Sequence, residues 1–205
     1  MTLPLATVIR PRHLPHLSGT ASDAEITTLI AAADNVLATW CGWPRAGAAA
    51  TLESATYTDY YDGPSHGDPT VLSLRVRPVA SITSIHDDRD RDWAYGASDL
   101  VDSGDYVLDG EAGRVYLTSS STHGVWSRGN RVLKAIYVAG YDTGAESFIA
   151  EAIGVLVAHW WGLRPTQGRT NVTQGGQSAA MRAETIPARC KELISGAVLP
   201  EAFCV

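Results

Sequence analysis

From about Ala145 to Leu163 the chain is apolar on nearly every face that a helix presents. Ile149, Ile153, Leu156, Trp160 and Leu163 recur at three- and four-residue spacing, and Phe148, Ala152 and Val155 widen the stripe. Such a helix is stable only when other elements cover it on most sides, so the rest of the chain must fold around it. The most apolar run, Ala152 to Leu163, is shorter than the roughly 20 residues a bilayer span needs. Arg164-Pro165 ends it, and a soluble protein without a membrane partner is expected.

A second helix is expected from about Ser22 to Trp40. Ser22-Asp23-Ala24-Glu25 reads as a capping box, in which the serine oxygen accepts a backbone amide and the glutamate reaches back. Ile26, Leu29, Ile30, Ala33, Val36, Leu37 and Trp40 form one apolar stripe, closed by Gly42 and Pro44. A short amphipathic helix is expected from about Pro187 to Ser195, with proline in its first turn.

Between the two long helices the pattern changes to strands. Ala55 to Tyr61, Val71 to Leu74, Val79 to Ile85 and Arg131 to Val138 are rich in β-branched and aromatic residues. Tyr106-Val107-Leu108 and Arg114-Val115-Tyr116-Leu117 flank Asp109-Gly110-Glu111-Ala112-Gly113, a five-residue hairpin connection. Asp87 to Leu100 is polar and reads as a long loop between strands. Residues 166–180 lack a core-forming pattern and read as a flexible linker. The apolar end, Ala197 to Val205, either docks on another chain or folds back on its own core.

The expected fold is therefore α+β: a helical bundle from the N- and C-terminal thirds with an inserted antiparallel β-sheet and a flexible C-terminal tail. Residues 1–165 would form one domain, with a helical core at 20–44 and 145–164 and a β-rich insertion at 52–139. Residues 166–205 would form a linker and a docking segment. A chain of 205 residues can bury such a core without disulfide staples. Its three cysteines are widely spaced and form no CxxC pair, which fits a reducing compartment.

Charge narrows the function. The net charge is −6, which argues against a generic basic nucleic-acid binder. Residues 86–114 hold nine acids and three arginines, whereas residues 164–205 hold five basic residues and three acids. Opposite signs in two segments suit head-to-tail contact between copies, or a simple solvated loop. Only 19% of residues are charged, against about 25% in an average globular protein.

Few residues suggest chemistry. No GxSxG, HExxH or GxxxxGK[ST] pattern occurs, and no catalytic residue is assigned. His13 and His16 are spaced HxxH, but Pro15 spoils helical convergence. His159, set among Val157, Trp160 and Trp161, reads as a core histidine. Asp88, Asp90, Asp92 and Asp99 occupy positions 1, 3, 5 and 12 of a calcium loop. Position 6 is Trp93 rather than glycine, position 12 lacks the longer glutamate, and Arg89 and Arg91 oppose a cation. A solvated loop is expected there, with no metal and no cofactor. Of the six tryptophans, Trp40, Trp160 and Trp161 are expected in the core. Trp43, Trp93 and Trp126 lie near turns, where tryptophan can anchor an interface.

The order of these segments resembles one family. A capped helix leads into Trp40-Cys41-Gly42-Trp43, then a tyrosine-rich strand. Next comes Leu72-Ser-Leu74-Arg-Val76-Arg-Pro78-Val79-Ala-Ser-Ile82-Thr-Ser-Ile85. Asp105-Tyr106-Val107-Leu108-Asp109, Gly113-Arg114-Val115 and Ile136-Tyr137-Val138-Ala139-Gly140-Tyr141 follow, and then the helix ending Trp160-Trp161-Gly-Leu163-Arg164. Over residues 22–164 this is similar to the head–tail adaptor, or connector, proteins of long-tailed phages and gene transfer agents. That family usually opens the second helix with a proline, where this chain has Asp142-Thr-Gly-Ala145-Glu146-Ser147.

The resemblance implies a structural virion protein and not an enzyme. It implies a homo-oligomeric ring, typically of twelve subunits, beneath the portal in the virion neck, assembled in the cytoplasm of a bacterial host. The ring would extend the DNA channel, pass double-stranded DNA without sequence-specific binding, and join the head to a downstream stopper or tail component. The tail residues Arg182, Arg189, Lys191, Leu193, Leu199 and Phe203 would then dock on the portal protein. Asp87, Asp88, Asp90, Asp92 and Trp93 would contact a neighbouring subunit or the downstream ring. The alternatives are a stopper or tail-completion protein of the same neck, or a small enzyme with an unrecognised site.

Overall fold

A computed structural model describes residues 23–47, 49–64, 67–141, 148–163, 171–174, 177–180 and 186–199. The chain divides into two compact units, Trp43–Asp142 with Leu199–Val205, and Met1–Gly42 with Thr143–Val198.

The first of these is β-rich. β1 (Arg45–Ala46) and β2 (Ala49–Ala50) pair as a small antiparallel ribbon. The strands that follow are β3 (Ala55–Tyr61), β4 (Val71–Ser73), β5 (Val79–Asp87), β6 (Tyr106–Asp109), β7 (Arg114–Leu117) and β8 (Leu133–Ala139). They form two antiparallel three-stranded sheets, ordered β3-β8-β5 and β4-β7-β6.

Strand β8 is central because β3 and β5 pair with its two edges, and its side chains alternate with period two. Leu133, Ala135, Tyr137 and Ala139 are buried, and the residues between them are half-buried. Tyr57 lies opposite Tyr137 in the register, and their rings stack at 5.9 Å. Strand β5 pairs with the other edge of β8, with irregularities between Val79 and Ser81 and between Ile82 and Ser84, which increase local twist.

Gly140 ends β8 at φ +122°, and a Cβ there would lie 2.5 Å from the Glu53 carbonyl oxygen. Only glycine permits that approach. It lets Tyr141 donate its amide to Leu52 at 3.0 Å and accept from Ser54 at 3.1 Å. The Tyr141 ring then stacks on buried Trp43 at 5.8 Å. The hairpin β6–β7 forms where expected, with Asp109 Oδ1 accepting the Ala112 amide at 3.1 Å.

The other unit holds the helices α1 (Asp23–Trp40), α2 (Phe148–Leu163) and α3 (Ala188–Leu193), and a hairpin of β9 (Asn171–Gln174) and β10 (Gln177–Ala180). α1 buries Ile26, Ile30, Ala33 and Leu37 on one face. α2 buries Ile149, Ala152, Ile153, Leu156 and Val157. α3 lies against α2, where the buried Cys190 thiol donates to the Ala152 carbonyl at 3.5 Å. Ile186, Ile194 and Ala197 are buried with it. Burial pushes the Cys190 thiol up to about 11 and the Cys41 thiol up to about 12.

The expected helical bundle with one inserted antiparallel sheet is overturned. Among the described residues there are ten strands in four sheets and three α-helices. Two helices dominate the apolar periodicity, but the many short strands build a core of their own around Leu52, Leu74, Trp126 and Tyr137. The stretch read as a linker contains the β9–β10 hairpin. Trp40, expected in the core, is 41% exposed. Ser22 of the expected capping box lies outside the described residues.

Candidate interaction surface

Strand β5 ends at Asp87, and the chain returns to it at Leu100, which bridges His86. The Val101 amide donates to Ile85 at 2.9 Å, and the Asp88 amide donates to Val132 at 2.8 Å. These bonds fix both ends of a loop running from 88 to 99.

The arginines of the loop turn to partners beside it. Arg89 reaches Asp87 Oδ2 at 3.3 Å and the His123 carbonyl at 3.0 Å. Arg91 donates to the Arg128 carbonyl at 2.9 Å. The aspartates between them turn to the loop's own amides. Asp88 Oδ2 accepts from Trp93 at 2.9 Å, Asp92 Oδ1 from Ala94 at 2.7 Å, and Asp99 Oδ2 from Gly96 at 2.7 Å. One carboxylate oxygen each from Asp88, Asp92 and Asp99 lies within 4.8 Å of the others. Arg91, Trp93 and Tyr95 hold φ values of +60°, +59° and +50°, a conformation that costs a non-glycine residue about 1–3 kcal/mol.

The carboxylates are not equally open to solvent. Asp87 and Asp88 are 1% and 0% exposed and Asp99 is 7%, whereas Asp90 and Asp92 are exposed. Burial works against the Asp88 charge, but the amides of Trp93, Arg91 and Asp92 favour it, and its carboxyl stays below the usual range. Its contact with the Asp88 carboxylate pushes Asp90 up. Asp87 Oδ1 and Asp88 Oδ1 are buried and have no hydrogen-bond partner. The expected contact residues thus separate: Asp90, Asp92 and Trp93 face solvent, while Asp87 and Asp88 are committed inside.

Trp93, 66% exposed, stands at the rim of a cleft of about 400 Å³ lined by Tyr60, Trp93, Ala94, Tyr95, Arg131 and Lys134. The Tyr60 and Tyr95 rings meet at 5.3 Å. The Arg131 guanidinium lies 4.6 Å from the Tyr60 centroid and the Lys134 ammonium 5.5 Å from that of Tyr95. Both distances suit cation–π attraction. Sequence reasoning missed this cluster. Its only signal is the register of Tyr60 opposite Lys134, which needs the pairing of two strands more than 70 residues apart.

On α3, Arg189 and Lys191 are exposed and Leu193 is half-buried. Arg189 pairs with Glu192 at 3.4 Å, an exposed pair of little energetic weight. Leu199 is half-buried, and Arg182 and Phe203 lie outside the described residues. The structure therefore gathers the acidic-loop residues at one place and describes only part of the expected docking set. Among the described residues no helix is long and apolar enough to cross a membrane.

The family model of the head completion proteins matches residues 6–195. Three solved structures are similar in fold. The neck of an empty gene transfer agent (GTA) particle, computed with C6 symmetry, is 18% identical with a TM-score of 0.61, covering 99% of this chain and 92% of that one. The neck of a native GTA particle, computed with C12 symmetry, is 17% identical with a TM-score of 0.56, covering 100% and 96%. The virion of a native GTA particle is 19% identical with a TM-score of 0.58, covering 99% and 92%. No curated protein matches the sequence.

Proposed function

We propose that this chain, which belongs to the head completion protein family, is a structural protein of the head–tail neck that assembles as a ring beneath the portal. The observation that carries the reading is the extent of the family match, residues 6–195, which takes in both units. The similar folds come from neck particles computed with six- and twelve-fold symmetry, and that supports a ring.

A ring of identical subunits needs two different, complementary patches on each copy. The exposed part of the acidic loop, Asp90, Asp92 and Trp93, with the cleft beside it, is suited to one: a rigid aromatic group ringed by charge. Its partner is a neighbouring subunit or the downstream stopper or tail component. The exposed cations of α3, Arg189 and Lys191, with Leu193, Leu199 and the tail residues Arg182 and Phe203, are suited to portal docking. An acidic or neutral lumen would let DNA pass without the phosphate contacts that would hold it, and the net charge of −6 is compatible with one.

Deleting the gene in the parent virus tests the role. Filled heads that fail to join tails, rescued by supplying the protein in trans, are the expected outcome. Normal infectious particles without the protein would rule the reading out.

A further inference from the structure

We infer that the 88–99 loop is a binding site for a divalent cation of the calcium type, held by the carboxylates of Asp88, Asp92 and Asp99. The inference is independent of the neck reading.

Two observations carry it. First, the loop brings one oxygen from each of these three aspartates within 4.8 Å of the others, with Asp88 and Asp99 buried at 0% and 7% exposure. Like charges withdrawn together from water repel unless a counter-charge joins them. The arginines interleaved in the loop do not supply it, since Arg89 is turned to Asp87 and His123 and Arg91 to Arg128. Second, Asp88 Oδ1 is buried without a donor, while Oδ2 of the same group is taken by the Trp93 amide. Buried carboxylate oxygens are almost always satisfied; the Arg91 and Asp92 amides favour the Asp88 charge without a hydrogen bond to this oxygen, and an ion would satisfy it.

The donor set favours the ion. All three side chains offer hard oxygen, which suits calcium or magnesium rather than zinc or copper. Calcium takes six to eight oxygens in an adaptable geometry, and backbone carbonyls and water would complete the shell. Two of the sequence objections dissolve in three dimensions. The arginines face away, and Trp93 at the sixth position adopts φ +59°, the turn that glycine usually provides. The third objection stands: Asp99 is shorter than the usual bidentate glutamate. A modest affinity follows, with a Kd on the order of 10⁻⁴ M. The bound ion would tie the start of the loop to its end and hold Trp93 out at the surface.

The experiment uses the full chain and two probes, terbium(III) and calcium. Excited tryptophan beside the site should sensitise terbium luminescence at one saturable equivalent, and calcium should displace it. Trp93→Phe should abolish most of that luminescence while leaving calcium affinity, by calorimetry, unchanged. Asp92→Asn and Asp99→Asn should each weaken calcium binding at least tenfold with the circular dichroism spectrum retained. Asp92 is exposed, so its variant guards against a simple folding failure. The inference is overturned if the wild-type chain takes up no calcium at millimolar concentration, if both variants bind as the wild type does, or if Trp93→Phe leaves terbium luminescence intact.

Discussion

Tyr137 donates its phenolic hydroxyl to Asp59 Oδ2 at 2.7 Å, across the pairing of β8 with β3. The two are diagonal neighbours on one face of the sheet, where side chains of this length reach each other. The same hydroxyl lies 3.3 Å from that of Tyr61 and accepts the Val76 amide at 3.2 Å. One phenol thus ties the central strand to an edge strand and to the segment after β4.

Tyr137→Phe should therefore cost about 1–3 kcal/mol, because the buried Val76 amide loses its acceptor. Urea unfolding would register this as a lower midpoint at unchanged slope. An unchanged midpoint would mean that the network carries no net stability.

The same phenols set an alkaline limit. Burial, then the neighbouring Asp59 charge, raises Tyr61, and burial, Tyr61 and Asp59 raise Tyr137. A folded pKa above the unfolded one contributes stability that is complete below the unfolded value and is lost as pH rises past it. The unfolded value is 10.0, so stability should decline above about pH 10, and less steeply in a Tyr61→Phe, Tyr137→Phe double variant. Denaturation midpoints across the alkaline range check this.

Gly140→Ala should destabilise by more than about 2 kcal/mol. It places a Cβ against the Glu53 backbone at a φ of +122°, where neither the space nor the conformation suits alanine. Thermal melts, compared with an alanine at the open Gly162, separate this from a generic glycine effect.

Cys41 and Cys190 should resist alkylation at neutral pH. Their raised pKa values of about 12 and about 11 keep them as thiols, and only thiolates react quickly. In a Cys204→Ser background, mass spectrometry should find both unmodified in native buffer and both modified in denaturant. Rapid native labelling of Cys190 would mean that the α2–α3 packing opens readily.

Exposed positions should behave in the opposite way. Trp93→Ala and the pair Arg189→Glu with Lys191→Glu should each leave stability within about 0.5 kcal/mol yet reduce head–tail joining. Removing residues 181–205 is a poorer test, since Ile186, Cys190, Ile194 and Ala197 are buried and their loss would expose the flank of α2.

What could be read in the sequence follows from locality. α1, α2 and the β6–β7 hairpin were legible because their signals lie within a dozen residues: periodic Ile26, Ile30 and Leu37, or the Asp109–Gly113 turn. The balance of the fold was not. A short strand such as β4 carries three residues, too few to show a period, and the pairing of β3 with β8 joins segments more than 70 residues apart. Trp40 is spaced with the α1 stripe, but the buried face runs through Leu37, Ala38 and Cys41 and leaves Trp40 beside it. The aspartate spacing was legible, yet its closure depends on left-handed backbone at Arg91, Trp93 and Tyr95, which no local propensity announces.

The central claim, that this chain forms a ring in the neck, is tested most directly by cryo-electron microscopy of the protein mixed with the portal from its own virus. The account predicts a symmetric ring of this chain seated on the portal, with Arg189 and Lys191 or the acidic loop resolved at the contacts. A portal that carries no density for the chain, beside protein that remains free in solution, would contradict it.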